Sequence, residues 1–359
     1  MNDEPLVSII VNNYNYGRFL ADAIDSALQQ TYRNIEVIAV DDGSTDTSCA
    51  VIEGYADRII PVLKPNGGQA SAFNAGFERS RGEIVIFLDA DDRLAPQIAE
   101  RVVAAFGAEP QLAKVQYRLA VIDADSTPTG AIKPPMQQPL PNGNLRQDVL
   151  RFADDIPWLP TSGNAFAAAV LRRIFPVPEP IYRICADYYL SNLPPLFGTV
   201  RSLEEVGGFY RVHAANNHHT SQVNLDQTRQ TITLTCHTHQ YIKQFADELG
   251  LRDYPGDTPS ALALSFLANR ITSLKLEPQR HPITSDRLLA VWWQGMKAVF
   301  RRVDLSASMR LLYFVWFVLM VPAPKPWARW LAEKFFFPET RGQFNTLLRV
   351  ARRRLVVGS

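Results

Sequence analysis

Along the first hundred residues the apolar positions switch between two spacings. LVSIIV (6–11), IEVIAV (35–40), residues 59–63 and EIVIFL (83–88) are short, nearly continuous apolar runs, the pattern of strands covered on both faces. Between them the spacing becomes helical. Phe19, Ala23, Ile24, Ala27 and Leu28 mark a helix over 18–30, and others are predicted over 69–80 and 96–106, the last with Pro96 in its first turn. Ser44 stands where it would N-cap the helix after the second strand. Strand and helix alternating at this interval predict βαβ units and an α/β fold with a mostly parallel sheet.

The pattern changes further on. Residues 124–142 contain Pro128, Pro134, Pro135, Pro139 and Pro141 and read as an irregular excursion within the first domain. After about residue 217 strand signals fade, and helices are predicted over 225–249, 261–274 and 287–303. Leu264, Leu267, Ile271 and Leu274 share one face, and Leu289, Trp292, Met296, Val299 and Val303 another. Two domains are therefore expected, 1–217 and a helical 218–359. LLYFVWFVLMVPA (311–323) is the most apolar stretch, but its 13 uncharged residues fall short of the roughly 20 that span a bilayer. A buried core helix and an anchor lying in the membrane interface are both open readings. PKPWARWLAEKFFF (324–337) sets Trp327, Trp330 and Phe335 to Phe337 among basic residues, which suits a bilayer interface. RVARRRL (349–355) adds a cluster that favours anionic lipid. Segment 307–337 is the candidate membrane-interface region.

Charge sharpens this picture. The formal net charge of +1 gives no nucleic-acid footprint. Residues 300–359, however, hold 11 Lys and Arg against 3 Asp and Glu, a net +8, while the rest, with 26 against 33, carries −7. A basic tail on an acidic body suggests an anionic partner for the tail. Cys49, Cys185 and Cys236 are far apart, with neither disulfide nor metal spacing, as in a reducing cytoplasm. MNDEPLVSII has no basic n-region, so no signal peptide is expected. The implied location is cytoplasmic, peripheral on the inner face of the plasma membrane.

Candidate chemistry lies at the carboxyl ends of the predicted strands, where open α/β sheets bind ligands. There stand NNYNYG (12–17), DDGSTD (41–46), KPNGGQASAFNAG (64–76) and DADD (89–92). Four polar, Gly-rich or acidic loops together describe one site across the sheet edge. Asp89 and Asp91 are two apart and point to one side on extended backbone. Adjacent carboxylates repel unless a cation lies between them. Oxygen ligands on a short loop suit Mg²⁺ or Mn²⁺, and Mg²⁺ usually completes its shell with substrate phosphates, so a phosphorylated substrate is implied. The competing reading of DADD is an acidic turn at the N-terminus of the next helix. Neither GxxxxGK[ST] nor a GxGxxG after the first strand is present, which counts against P-loop and dinucleotide binding.

VSIIVNNYNYGRFLADAIDSALQQTY, IEVIAVDDGSTD, NGGQASAFNAG and GEIVIFLDADD, in that order and spacing, resemble the family 2 glycosyltransferases over roughly residues 5–110. PTSGNAF (160–166), CADYYL (185–190) and FYRVHAANN (209–217) continue the likeness more loosely. The resemblance implies a Rossmann-like GT-A domain followed by the helical region, and inverting transfer of a sugar from a nucleoside diphosphate. It places Asn12 and Tyr14 beside the nucleotide, with Tyr14 stacking on the base, and gives Asp42 a base N–H. Gly67, Gly68 and Ser71 would lie along the donor. Asp89 and Asp91 form the DxD motif, Asp91 binding a Mg²⁺ or Mn²⁺ that bridges the diphosphate, while Asp89 and Asp92 support ribose and metal contacts. His213 falls near the metal and diphosphate, with a purely structural histidine as the other reading. Thr161 to Asn164 would contact donor sugar or acceptor, or form a turn. Ala167 stands where an Arg is common.

A metal that stabilises the leaving diphosphate removes the need for a general acid, so one carboxylate must take the acceptor proton, unlike the paired carboxyls of glycosidases. The resemblance assigns this to Asp187, although the usual Glu-Asp reads Ala186-Asp187 here. N-capping a helix over 188–193 is a compatible second role. The expected donor is a UDP- or dTDP-sugar and the acceptor a glycan or lipid-linked species, in bacterial surface polysaccharide synthesis. A sugar-1-phosphate nucleotidyltransferase would need a basic Gly-rich loop after the first strand, where only Arg18 stands. A non-catalytic nucleotide-sugar-binding or membrane scaffold protein is the alternative from a different class.

Overall fold

The computed structural model describes residues 4–55, 57–213, 222–251 and 260–337. The order is β1 (Val7–Asn13), α1 (Gly17–Leu28), β2 (Ile35–Asp41), α2 (Ser48–Glu53), β3 (Ile60–Leu63), α3 (Gln69–Arg79), β4 (Ile84–Asp89), β5 (Arg93–Leu94), α4 (Ile98–Ala108), β6 (Leu112–Ile122), β7 (Pro128–Lys133), α5 (Arg146–Phe152), β8 (Asn164–Ala167), α6 (Ala168–Ile174), α7 (Ala186–Asn192), β9 (Thr199–Arg211) and α8 (Leu225–Glu248). Helices α9 (Leu264–Leu276), α10 (Leu288–Arg301), α11 (Ala307–Met320) and α12 (Lys325–Phe336) follow.

One sheet runs β3-β2-β1-β4-β8-β6-β9-β5, with β7 beside β6. Its first four strands are parallel, in the register Val7↔Ile35 and Asn12↔Asp89. On one face Ile9, Val11, Val37, Ala39, Ile86 and Leu88 pack with Leu20, Ala23, Ile24 and Ala27 of α1. On the other lies α3, where a Cβ on Gly76 would press inside contact with Ile10, so only glycine lets the helix sit this low.

Beyond β4 the sheet becomes mixed. β8 runs antiparallel to β4 and β6, and β9 lies parallel to β6. Apolar runs do not reveal this half, because β6 alternates two chemistries. Val115, Tyr117 and Leu119 enter the core, while Lys114, Gln116 and Arg118 face the other way and are equally buried. Arg118 pairs with Glu204 and donates to the carbonyls of Pro134, Pro135 and Gln138 at 2.9 to 3.0 Å. That cation anchors the proline-rich excursion, which is not wholly irregular, since 128–133 forms β7.

Three local expectations change. Ser44 does not cap α2, which begins at Ser48; its hydroxyl instead accepts from Asn13 Nδ2 and the Asn15 N–H. Pro96 precedes α4 rather than opening it. Asp187 lies inside the first turn of α7, and the N-cap is Cys185 in left-handed conformation at φ 64°.

The chain divides into two compact units, 1–216 with 237–254, and 217–236 with 255–359, so α8 contributes to both. In the second unit α9 buries Leu264, Leu267, Ile271 and Leu274 as expected. α10 buries Val291, Gly295, Met296, Ala298 and Val299 but exposes Leu289 and Val303, a face rotated from the one predicted. The reason is Gly295, whose bare Cα faces the Phe317 ring and sets the line of contact with α11. α11 turns Trp316, Phe317 and Met320 inward and leaves Leu311, Val315, Val318 and Leu319 exposed. Among the described residues no helix is long and apolar enough to cross a membrane. The basic cluster 349–355 lies outside the described residues, as do 214–217 of FYRVHAANN.

Candidate active site

Parallel pairing brings the ends of β1, β2 and β4 level, and the polar residues that stop each apolar run meet there. Asn12 Nδ2 donates to Asp89 Oδ1 at 2.7 Å, its direct partner across the sheet. Asn13 Nδ2 donates to Asp41 Oδ1 at 2.7 Å, and Asp41 Oδ2 accepts the Ser44 N–H at 2.9 Å. Tyr14, on the loop just beyond, is 48% exposed, its ring open to solvent.

Asp42 is the organiser of the next loop. Its side chain is 2% exposed. Oδ1 accepts from Lys64 Nζ at 2.6 Å and the Gly67 N–H at 2.9 Å; Oδ2 accepts from the Gly68 N–H at 2.6 Å and Asn66 Nδ2 at 3.0 Å. A nucleobase N–H reaching Asp42 would share an oxygen with these donors. Ser71 packs directly against Gly67, leaving no room there for a Cβ. Gly68 has φ +92°, and a Cβ on it would collide with the Arg183 carbonyl. That carbonyl accepts the Gln69 N–H at 2.8 Å, while Gln69 Oε1 accepts the Ala186 N–H at 2.8 Å. The loop before α3 is thus stitched to the start of α7, which carries Asp187.

The acidic loop is held from two sides. The Asp89 N–H donates to Ser162 Oγ at 3.1 Å. Thr161, Ser162 and Gly163 are buried, so this segment is a turn beneath Asp89. On the other side, the Arg211 N–H donates to Asp92 Oδ1 at 2.9 Å, and its guanidinium donates to the Asp91 carbonyl at 2.7 Å, Ser126 Oγ at 2.7 Å and Asp22 Oδ2 at 2.9 Å. Two residues on, His213 Nε2 lies 3.0 Å from Asp91 Oδ2, its ring packed by Tyr16 and Phe19 at centroid distances of 5.4 and 4.9 Å.

Burial and mutual repulsion shape the carboxylates. Burial, then the Asp91 charge, pushes Asp89 up to about 7. Burial with Asp91 and Asp89 raises Asp92 well above the usual carboxylate range. The same charges reach outward: burial and then Asp91 raise Tyr16 to about 12, and burial followed by Asp92 and Asp91 raises Tyr210 to about 12. Asp92 Oδ2 is buried without a hydrogen-bond partner. Carboxylates crowded to this degree are what a bound cation would relieve. Among the described residues no group of three or more His, Cys, Asp and Glu could hold a metal ion by itself. Asp91 and His213 are the pair this fold brings together, a set that would leave room for substrate oxygens.

A profile of the family Glycosyl transferase family 2 matches residues 8–156. An uncharacterized glycosyltransferase of Nostoc sp. is 36% identical over 249 residues, 68% of this chain and 76% of that one. The chain is a family 2 glycosyltransferase. An uncharacterized glycosyltransferase of Rickettsia typhi is 44% identical over a shorter 99 residues, 28% of this chain and 31% of that one. The GT-A fold of the glycosyltransferase has counterparts among solved structures. S. aureus TarS 1–349 in complex with UDP-GlcNAc has a TM-score of 0.53 at 17% identity, covering 92% of this chain and 91% of that one. The mannosyltransferase PcManGT from Pyrobaculum calidifontis, in complex with GDP-Man and Mn²⁺, has a TM-score of 0.50 at 16% identity, covering 95% and 87%. At these identities the likeness concerns the fold.

Several supporting residues of the glycosyltransferase escaped sequence reasoning. Lys64 and Asn66 close the Asp42 loop, and Ser162 and Arg211 hold the acidic one. Arg211 left one trace, a charge two places before His213 at the end of an apparent strand. Lys114, Gln116 and Arg118 left another, a period-2 polar series within an apolar run, which is the mark of a strand with two differently occupied faces.

Proposed function

We propose that this glycosyltransferase moves a sugar, with inversion and with the help of Mg²⁺ or Mn²⁺, from a UDP- or dTDP-sugar to a glycan or lipid-linked acceptor in bacterial surface polysaccharide synthesis. The observation that carries the reading is the Asp91–His213 pair set beside the raised carboxyls of Asp89 and Asp92 at the end of β4. TarS with UDP-GlcNAc and PcManGT with GDP-Man and Mn²⁺ agree with a nucleotide-sugar donor and a divalent ion. In this reading Asp91 and His213 hold the cation, with Asp89 and Asp92 supporting it and the ribose. A divalent ion bound there would neutralise charge gathering on the departing diphosphate. Tyr14 stacks on the base, Asn12 fixes Asp89, and Asp42 with Gly67, Gly68 and Ser71 lines the donor. Asp187 takes the proton from the acceptor hydroxyl as that oxygen bonds the anomeric carbon. The bond to the diphosphate oxygen breaks, its electron pair leaving with the nucleoside diphosphate. Residues 1–217 form the catalytic domain and 218–359 the helical one.

Calorimetric titration of UDP, TDP and GDP with and without Mn²⁺ tests this. One nucleotide should bind with Mn²⁺, and binding should collapse with EDTA or in D91A. If none binds to the folded, metal-supplied protein, the non-catalytic scaffold reading takes its place.

The second unit supports a lipid acceptor. Leu311, Val315, Val318 and Leu319 of α11 are exposed, and on α12 Trp327 and Trp330 are 63% and 40% exposed. Exposed apolar and Trp side chains with Lys325, Arg329 and Lys334 on α12 suit an anionic bilayer surface rather than water. The protein should float with vesicles containing anionic lipid; if it stays at the bottom of the gradient, peripheral attachment is wrong.

A further inference from the structure

The loop around Asp42 carries an ion pair that the proposed reaction does not use. Lys64, just past β3, places Nζ 2.6 Å from Asp42 Oδ1 and donates a second bond to the Pro65 carbonyl at 2.7 Å. Its backbone N–H donates to the Asp41 carbonyl at 3.0 Å, which fixes the residue to the end of β2. A carboxylate offers about four lone-pair sites, and on Asp42 each is taken. Oδ1 accepts from Lys64 Nζ and the Gly67 N–H, Oδ2 from the Gly68 N–H and Asn66 Nδ2. A nucleobase N–H finds an acceptor here only if one of these donors gives way.

Three of the donors are held in place. The Gly67 and Gly68 N–H groups belong to the backbone: Ser71 packs against Gly67, and Gly68 is wedged at φ +92° against Arg183, whose carbonyl accepts the Gln69 N–H at 2.8 Å. Asn66 Nδ2 also donates to the Asp42 carbonyl at 2.9 Å, while Asn66 Oδ1 accepts from Arg183 Nη2. Lys64 is the exception. Its ammonium ends a flexible four-carbon stem. The Lys64 side chain is 19% exposed and that of Asp42 only 2%, so of the two partners it is the lysine that meets solvent.

A displaced ammonium needs another acceptor at once. The base that takes its place must therefore bring an N–H for Oδ1 and, beside it, a carbonyl oxygen for Nζ. Uracil and thymine carry N3–H between two carbonyls, so either flank answers a donor. Guanine carries N1–H between O6 and an amino group. To hold both of its N–H groups a carboxylate uses both oxygens, and Oδ2 has no site left. Turned the other way, the amino group faces the Lys64 ammonium. In either orientation a donor meets donors, and buried polar groups go unpaired.

We propose that Lys64 is a specificity-determining residue of the donor site: its ammonium plugs Asp42 Oδ1 and, as the donor enters, passes to a carbonyl oxygen of the base, so that the site selects a uracil or thymine nucleotide against a guanine one. This rests on the nucleotide-sugar reading above. Only hydrogen bonds are exchanged; the ammonium keeps its protons.

The test is calorimetric titration of UDP, TDP and GDP, each with Mn²⁺, into the wild type, K64M and K64R. The wild type should bind UDP and TDP about tenfold or more tightly than GDP. K64M should close most of that gap, and K64R, which keeps a cationic donor, should keep most of it. Manganese pyrophosphate, which has no base, should bind K64M as it binds the wild type. The UDP-to-GDP preference of the wild type needs no variant to fold: if GDP binds as tightly as UDP, base selection by Lys64 is overturned and a nucleotide-sugar donor still stands. An unchanged preference in K64M overturns it as well. So does a loss of pyrophosphate affinity in K64M equal to its loss for UDP, which would make Lys64 a phosphate contact. If the folded wild type binds none of the three nucleotides, the donor reading itself falls, and the role of Lys64 with it.

Discussion

Arg211 and Lys114 are both buried cations, yet their deletion should act in opposite directions. The Arg211 guanidinium donates to two loops and to Asp22. R211M would take the side-chain donor from the Asp91 carbonyl and Ser126 and remove the ion pair with half-exposed Asp22, at a cost of about 1 to 3 kcal/mol, read as a lower denaturation midpoint and weaker Mn²⁺-dependent nucleotide binding. Lys114 gives up no hydrogen bond when replaced, so K114M should melt higher than the wild type. The pH dependence follows. Burial lowers the folded-state pKa of Lys114 from 10.5 to about 7, so between those values the unfolded chain binds the extra proton. Wild-type stability therefore rises with pH across that window. The advantage of K114M should be greatest below pH 7 and shrink towards pH 10, as thermal melts of the two proteins would record. The aspartates of the acidic loop were legible because they are neighbours in the chain, and the repulsion of carboxylates crowded at a strand end follows from their spacing alone. Lys114 was not, because its seat is made by Trp158 and Phe166, which only the fold brings to it.

At the scale of elements, the joint between the loop before α3 and the start of α7 carries both the proposed donor loop and the proposed base. Gly68 is its tightest point. G68A must strain φ +92° and push back the Arg183 carbonyl, costing about 1 to 3 kcal/mol. Because the loop also shapes Asp42, nucleotide affinity and turnover should fall together. Gly107 is the control: it lies in α4, and a Cβ there meets nothing within 4 Å. G107A should stabilise by about 0.5 to 1 kcal/mol, leaving nucleotide binding unchanged. If G68A binds nucleotide like wild type, the joint does not set the donor loop. β1, β2 and β4 were readable because burial on both faces writes a continuous apolar run; β3 is an edge strand with Pro61 and Leu63 exposed, and its run is not covered on both faces as expected. Of β9 only the end before His213 was readable, since TVRSLEEVGGFYR breaks its run with charges and glycines. Nor was β6, whose second face is polar and still buried.

At the scale of the whole molecule, the chain separates an acidic body from a basic tail, and the helices within that tail expose Trp327, Trp330 and one side of α11. Two forces would hold such a protein on a membrane, and they respond differently. Attraction to anionic lipid is screened by salt, whereas insertion of the two indoles is not. Vesicle flotation of W327A/W330A should be weakened at every salt concentration, and flotation of the wild type should weaken as salt rises. Full flotation of the double variant would leave charge as the sole force.

Sequence alone determined the alternation of strand and helix, the polar loops at four strand ends, the three adjacent carboxylates and the helical character of the second half. Each is a property of neighbouring residues, written in a local period that any compact fold must respect. Only the tertiary structure decided which of these loops touch. It put His213 on Asp91, Arg211 behind Asp92, the Arg183 carbonyl over Gly68 and Lys114 on the Trp158 ring. Those pairs depend on β8 lying between β4 and β6 and on β9 running beside β6, and strand order is settled by packing between segments a hundred residues apart.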